Sequence, residues 1–106
     1  MAIDQSELTN WGKTYLARLR ETMRVESVWL FGSRIRGDAT QDSDLDIAVI
    51  SPEFDEHFSD ASRTSNLVLW RLAVPCDIEI HGLGVQDFQQ GGILVEEICR
   101  YGIQII

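Results

Sequence analysis

Residues 30–50 read Leu30-Phe31-Gly32-Ser33-Arg34-Ile35-Arg36-Gly37-Asp38-Ala39-Thr40-Gln41-Asp42-Ser43-Asp44-Leu45-Asp46-Ile47-Ala48-Val49-Ile50. Residues 25–31 are rich in β-branched and aromatic side chains and stop at a glycine, which predicts a strand. A short helical turn or loop is expected over 33–39. Residues 45–50 are an almost unbroken apolar run that Ser-Pro ends, which predicts a second, buried strand. Two strands therefore flank a loop that begins with Gly-Ser and ends with Asp-x-Asp.

The rest of the chain alternates between helical and strand patterns. The remaining predicted elements are a helix over 5–23, a helix over 54–73, a strand over 77–81, a short helix over 93–100, and an edge strand or apolar tail over 103–106. The two long helices each carry apolar residues at helical spacing, and the third strand alternates polar and apolar residues. This order predicts an α+β fold: a small mixed β-sheet with helices packed on one face and polar side chains on the other.

Length and composition limit the class of protein. The chain has 106 residues, of which 44% are hydrophobic and 25% charged, which predicts one globular domain over 1–106. The formal net charge of -8 argues against a protein that coats duplex nucleic acid or binds an anionic membrane. No apolar run is long enough to span a bilayer, and residues 1–5 lack signal-peptide features. The two cysteines are far apart, so we expect reduced thiols and a cytoplasmic location.

The negative charge is concentrated in one part of the sequence. Eight of the 17 acidic residues lie between residues 38 and 60, where there is no Lys or Arg. The other nine acidic residues equal the nine basic ones, so the whole net charge falls in this window. Asp44 and Asp46 lie inside it.

Asp44 and Asp46 are candidate metal ligands. Two residues apart on a strand, they project from the same face of the sheet. Two like charges 4 Å apart repel by about 4 kcal/mol at an effective dielectric constant of about 20, so the pair favours a bound cation. Mg²⁺ binds carboxylate oxygens, waters and substrate phosphates. The alternative is a solvated turn that caps the strand.

Gly32 and Ser33 are candidate phosphate ligands. Glycine allows a sharp turn and a close backbone approach, and a helical turn starting at Ser33 offers N–H groups and a hydroxyl to an anion. An ordinary N-cap serine is the alternative. A third acid, Asp77, opens the next predicted strand, and Glu79 shares its face. Three carboxylates would suit two metal ions about 3.5–4 Å apart, as in phosphoryl or nucleotidyl transfer.

Gly-Ser, ten residues, and Asp-x-Asp between two strands resemble the signature of the nucleotidyltransferase superfamily that includes DNA polymerase beta. The similarity is closest to the small prokaryotic members, the minimal nucleotidyltransferases of the MNT type. The surrounding Gly-Ser-Arg-x-Arg-Gly-Asp-Ala and Ser-Asp-x-Asp are also family-like. The resemblance implies the polymerase beta-like palm fold.

The resemblance also implies roles for individual residues. Gly32 and Ser33 would hold the β- and γ-phosphates of a nucleoside triphosphate, while Asp44 and Asp46 would bind Mg²⁺. Asp77 would complete the metal site and help to deprotonate an acceptor hydroxyl. The family strand usually has an apolar residue where this chain has Glu79, so Glu79 is either a fourth acid or the third one.

Small members of this type are commonly encoded beside a HEPN-domain toxin and act as its antitoxin, in some pairs by adenylylating a toxin tyrosine. The resemblance therefore implies a Mg²⁺-dependent enzyme that transfers AMP from ATP to such a partner. Three alternatives stay open: transfer to a small molecule such as an aminoglycoside, an antitoxin that acts by binding alone, and a small α+β domain with a structural cation site. The preferred nucleotide and self-association of the chain are also open.

Several other residues have two interpretations. Arg34 and Arg36 either neutralise the triphosphate or pair with the local acids Asp38 and Asp42. The histidines at 57 and 81 are expected to be surface or packing residues, since neither has metal-ligand spacing. Trp70 is expected in the core.

Overall fold

The computed structural model describes residues 4–37 and 44–105, which contain helices and a four-stranded sheet. The helices are α1 (Gln5–Arg20), α2 (Ser33–Arg36), α3 (Pro52–Glu56), α4 (Phe58–Trp70), α5 (Val85–Gln90) and α6 (Ile93–Tyr101). The strands are β1 (Ser27–Phe31), β2 (Leu45–Ile50), β3 (Ile78–Leu83) and β4 (Ile103–Ile105). The predicted end of the turn at Ala39 and the last tail residue, Ile106, lie outside the described residues.

The sheet is mixed and has the strand order β3-β2-β1-β4. Strand β1 pairs antiparallel with both β2 and β4, whereas β2 and β3 run parallel. Strand β2 has six residues, and the last four, Ile47 to Ile50, are all buried, as expected for a central strand. The predicted α+β class with a small mixed sheet is confirmed, and β2 has the predicted bounds.

The main core lies between one face of the sheet and the two long helices. The side chain of Tyr15 in α1 is fully buried, and its hydroxyl donates a hydrogen bond to the Ser65 carbonyl of α4 at 2.9 Å. Gly12 lets α1 approach β4 closely, because a Cβ at this position would lie 3.2 Å from the Ile105 side chain. The glycine that weakens α1 by its helix propensity thus serves the packing of α1 on the sheet.

The second face of the sheet is only partly free. A smaller cluster there combines Phe31, Ala48 and Ile50 of the sheet with Ile98 of α6, and side chains of α5 pack against it. The long helices do pack on one face as predicted, but short helices cover part of the other. Helix α5 was not predicted, because its six residues carry too few apolar side chains to form a helical stripe.

The helix predicted over 54–73 is two helices. Ser51 caps α3 by accepting a hydrogen bond from the Glu53 N–H at 3.1 Å, so the first helix begins at Pro52. The non-helical backbone of His57 separates α3 from α4. The prediction of Trp70 in the core is wrong: it ends α4 with 74% of its surface exposed. No helix in the described ranges has the length and apolar character needed to cross a membrane.

Tyr15→Phe is expected to destabilise the protein by about 1 kcal/mol at pH 7, because it removes a buried hydrogen bond. Burial raises the pKa of Tyr15 well above its usual value of 10, and an interaction with the Ser65 side chain opposes this only in part. The phenol ionises near pH 10 in the unfolded protein but stays neutral in the folded one. The free energy of unfolding is therefore unaffected by Tyr15 ionisation below pH 10 and falls as the pH rises above it. Above pH 10 the free energy of unfolding falls by about 1.4 kcal/mol per pH unit in the wild type. The Tyr15→Phe variant has no phenol at this position and does not show this decrease.

Urea unfolding of both proteins between pH 7 and pH 11 measures this difference. The wild type should have the larger free energy of unfolding at pH 7. This difference from Tyr15→Phe should decrease above pH 10 and then change sign. Equal slopes of stability against pH in the two proteins would contradict the assignment of a buried, neutral phenol.

Candidate active site

Gly32 forms the turn from β1 into α2. Its backbone has φ +93 and ψ -169, a conformation that is almost restricted to glycine. A Cβ at this position would lie 2.2 Å from the Asp46 Oδ2 atom, which is far inside van der Waals contact. Two independent requirements, the backbone angle and the space taken by the Asp46 carboxylate, therefore select glycine here.

Asp46 lies in a group of three metal-ligating side chains. Register pairs it with Phe31 of β1 and with Glu79 of β3, so these residues meet at one end of the sheet. One ligand atom each from Asp46, Glu79 and His81 lies within 4.8 Å of the other two. The His81 Nε2 atom is 3.1 Å from Asp46 Oδ1, and the imidazole packs against the Phe31 ring at a centroid distance of 5.2 Å.

Asp44 and Asp77 lie one residue before the strands. The Leu45 N–H donates a hydrogen bond to the Asp77 carbonyl at 2.9 Å, which continues the parallel register and brings the backbones of Asp44 and Asp77 side by side. Both residues are exposed. Neither belongs to the group of Asp46, Glu79 and His81 that the described residues form.

Charged side chains surround the half-buried thiol of Cys76. Burial raises the pKa of Cys76, the positive charge of Arg34 lowers it, and the negative charges of Asp77 and Asp44 raise it further. All three charges are thus close enough to act on one sulfur atom.

Arg36 forms an ion pair with Glu97 of α6, and both side chains are about one-third exposed. The pair links the turn after β1 to the helix that covers part of the second face. Sequence reasoning did not name this partner, because the two residues are 61 positions apart. Asp38 and Asp42, the local acids considered as partners, lie outside the described residues.

The structure thus brings most of the sequence-predicted site residues to one end of the sheet. Asp46 contacts the Gly32 turn, and Asp44 and Asp77 lie beside each other at the strand starts. His81, which the sequence predicts to be a surface or packing residue, does pack against Phe31, and it also lies beside Asp46 and Glu79, which sequence reasoning did not predict. The signal that could have found it is the period of two along β3, which places 77, 79 and 81 on one face.

The site therefore combines a glycine turn with the carboxylate of an Asp-x-Asp strand and with further candidate metal ligands. Sequence comparison gives the family: residues 13–90 match the nucleotidyltransferase domain. This match covers most of the chain, which therefore belongs to that family and is a nucleotidyltransferase. No curated protein is significantly similar to the chain in sequence.

Solved structures share the fold. A protein from Sulfolobus solfataricus assigned as a nucleotidyltransferase is 17% identical with a TM-score of 0.66; the alignment covers 94% of this chain and 80% of that one. A toxin–antitoxin structure with AMP-PNP is 18% identical with a TM-score of 0.53, covering 87% of this chain and 70% of that one. At these identities the likeness establishes the nucleotidyltransferase fold alone.

Gly32→Ala is expected to abolish nucleotidyl transfer from a labelled nucleoside triphosphate and to cost about 1–3 kcal/mol of stability. The new methyl group would displace the Asp46 carboxylate. Gly37→Ala is the matched control, because Gly37 also has a positive φ of +91 but has nothing within 4 Å of the added Cβ. That variant should lose about 1–2 kcal/mol and keep its activity. Equal activity of the two variants would contradict the role of the Gly32–Asp46 contact.

Proposed function

We propose that this nucleotidyltransferase transfers AMP from ATP to a hydroxyl of a partner protein, a tyrosine of a HEPN-domain toxin, and so acts as its antitoxin. The observation that carries the proposal is the Asp46 carboxylate held against the Gly32 turn beside further acids. This arrangement supports the proposal because phosphate groups bound along the turn would lie next to cations bound by the carboxylates.

The donor set fits a hard divalent cation. Carboxylates of Asp46 and Glu79 approach each other at one end of the sheet, and Asp44 and Asp77 stand next to them. Carboxylate oxygens are the protein ligands that Mg²⁺ prefers. Asp44, Asp46 and Asp77, with Glu79 as a fourth acid or as the replacement for Asp77, would hold two Mg²⁺ ions. Bound Mg²⁺ would neutralise the charge that develops on the triphosphate.

The triphosphate would lie along the turn after β1. Gly32 permits close approach to the backbone, and Ser33 would add N–H and hydroxyl donors to the β- and γ-phosphates. Arg34 belongs to the same turn, α2, and its guanidinium would meet phosphate oxygens there. Arg36 would contribute positive charge from the same turn while its pairing with Glu97 fixes its position.

The reaction we propose is an in-line displacement at the α-phosphorus of ATP. The acceptor oxygen forms a bond to the α-phosphorus, the bond from that phosphorus to the bridging oxygen of the β-phosphate breaks, and pyrophosphate leaves. The hydroxyl proton passes to a carboxylate, that of Asp77 or Glu79. The remaining residues would act by positioning and electrostatic stabilisation of the transferred group.

The similar toxin–antitoxin structure supports the choice of donor and partner, because it contains AMP-PNP, an analogue of ATP, and a toxin. The sequence resemblance to MNT antitoxins supports the HEPN-type toxin. We place the reaction in the cytoplasm, where ATP and Mg²⁺ are abundant. The free state of Cys76 and Cys99 is in keeping with a reducing compartment.

Asp46→Asn should reduce the transfer of label from [α-³²P]ATP to the partner toxin by at least about 10²-fold, the order of effect of losing one electrostatic stabiliser. The assay contains the full chain, Mg²⁺ and the toxin encoded by the adjacent gene. Asp60→Asn is the control: it removes the same charge from the exposed first turn of α4 and should keep full activity. Absence of label in the wild-type reaction would sink the proposal.

Two further outcomes identify the alternatives. If Asp46→Asn still neutralises the toxin fully in cells, the protein is an antitoxin that acts by binding alone. If label appears on a hydroxylated small molecule such as an aminoglycoside and none on the toxin, the acceptor is that small molecule.

Asp77→Asn and Glu79→Gln, assayed side by side, test which residue is the third acid. If Asp77 takes the acceptor proton, Asp77→Asn should lower the rate by about 10²–10⁴-fold, the usual contribution of a general base. Glu79→Gln should then reduce it by less than tenfold. The reverse order of the two rates would assign the role to Glu79.

A further inference from the structure

We propose that Asp46, Glu79 and His81 form a site for a divalent transition-metal ion, and that His81 makes this site prefer Mn²⁺ over Mg²⁺. The inference deepens the proposed function and rests on it for the role of Asp46 in the reaction. It departs from an all-carboxylate site, because one of the three donors is an imidazole nitrogen.

The distances between donor atoms suit ligands of one ion. Two neighbouring ligands of an octahedral metal, each about 2.1–2.2 Å from it, are about 3.0 Å apart. The separation of His81 Nε2 and Asp46 Oδ1 is 3.1 Å. The whole group, including Glu79, fits within 4.8 Å, which accommodates both neighbouring and opposite ligands. A metal ion would thus replace the contact between His81 and Asp46 without a rearrangement of the strands.

The donor atoms are held by the fold. Asp46 and Glu79 are register partners on β2 and β3, and Glu79 and His81 leave the same face of β3 because they are two residues apart. The Phe31 ring packs against the imidazole, and the space above Gly32 receives the Asp46 carboxylate. Such preorganisation lowers the entropy lost when an ion binds.

The chemistry of the donors favours a transition metal. Mg²⁺ takes oxygen ligands, whereas an imidazole nitrogen suits first-row transition metals. Mn²⁺ suits carboxylate ligands and octahedral geometry as Mg²⁺ does, and because it is a first-row transition metal we expect it to tolerate the imidazole nitrogen better than Mg²⁺. The side chains of Asp46 and His81 are only about one-quarter exposed, whereas Glu79 is exposed, so solvent screens part of the repulsion between the Asp46 and Glu79 carboxylates. A dication between them removes that repulsion.

The test is titration of the full chain with MnCl₂ alone, without nucleotide, with free Mn²⁺ measured by electron paramagnetic resonance. His81→Gln should weaken Mn²⁺ binding at least tenfold and change Mg²⁺ binding, measured by competition, by less than threefold. His57→Gln is the matched control, because it removes an exposed histidine from the junction of α3 and α4. It should bind both metals as the wild type does.

A nitrogen hyperfine coupling to bound Mn²⁺, present in the wild type and absent in His81→Gln, would identify the imidazole as a ligand directly. Glu79→Gln changes an exposed position and should weaken the binding of Mn²⁺ and Mg²⁺ alike. This variant tests the site even if His81→Gln does not fold. No Mn²⁺ binding by the wild type, or equal Mn²⁺ affinity and Mn²⁺/Mg²⁺ ratio in wild type and His81→Gln, would overturn the inference.

The two proposals fail separately. Tight, histidine-dependent Mn²⁺ binding with no label transfer to the toxin overturns the proposed function and leaves the metal site. Mg²⁺-supported transfer that needs Asp46, together with Mn²⁺ binding that does not need His81, overturns the metal preference and leaves the function.

Discussion

The close approach of the Asp46 carboxylate to the α-carbon of Gly32 is the constraint around which the site is arranged. Antiparallel pairing of Phe31 with Asp46 places the end of β1 beside the start of β2. The missing side chain at Gly32 then leaves space that the carboxylate occupies. Glycine and aspartate, 14 positions apart in the sequence, are thus the two sides of one contact, and the turn that follows Gly32 is fixed relative to the acids.

Most of the fold could be predicted from local patterns, and the exceptions have tertiary causes. The bounds of β2 were predictable because an apolar run is bracketed by Asp44 and by Ser51-Pro52. The break at His57 was not, because apolar residues continue at helical spacing across it. Helix α5 depends on contacts that no local pattern shows: the Val85 N–H donates a hydrogen bond to Asp55 at 2.8 Å.

The candidate site, too, was predictable where it depends on local sequence and not where it depends on tertiary contacts. The spacing of Gly-Ser and Asp-x-Asp is local, so the sequence alone is enough to predict a place for phosphates and metal ions there. Which β3 residue stands beside Asp46 depends on the register between two strands that are 27 residues apart. Alternation alone leaves Asp77, Glu79 and His81 equivalent. Register pairs Glu79 with Asp46, and ring packing brings the His81 imidazole to the same carboxylate.

The described part of the acidic window contains two sets of carboxylates with different surroundings, apart from Asp60 on the first turn of α4. Those of α3 serve the fold: Glu53 and Glu56 form ion pairs with Arg24, and Asp55 accepts the Val85 N–H. The charges of Asp44 and Asp46 lie at the strand starts instead, joined there by Asp77 and Glu79 from outside the window. The acidic window therefore includes carboxylates that do not belong to the candidate site, and it leaves out Asp77 and Glu79, which lie there. What concentrates charge at the site is the parallel pairing of β2 with β3, which adds two carboxylates that are remote in sequence.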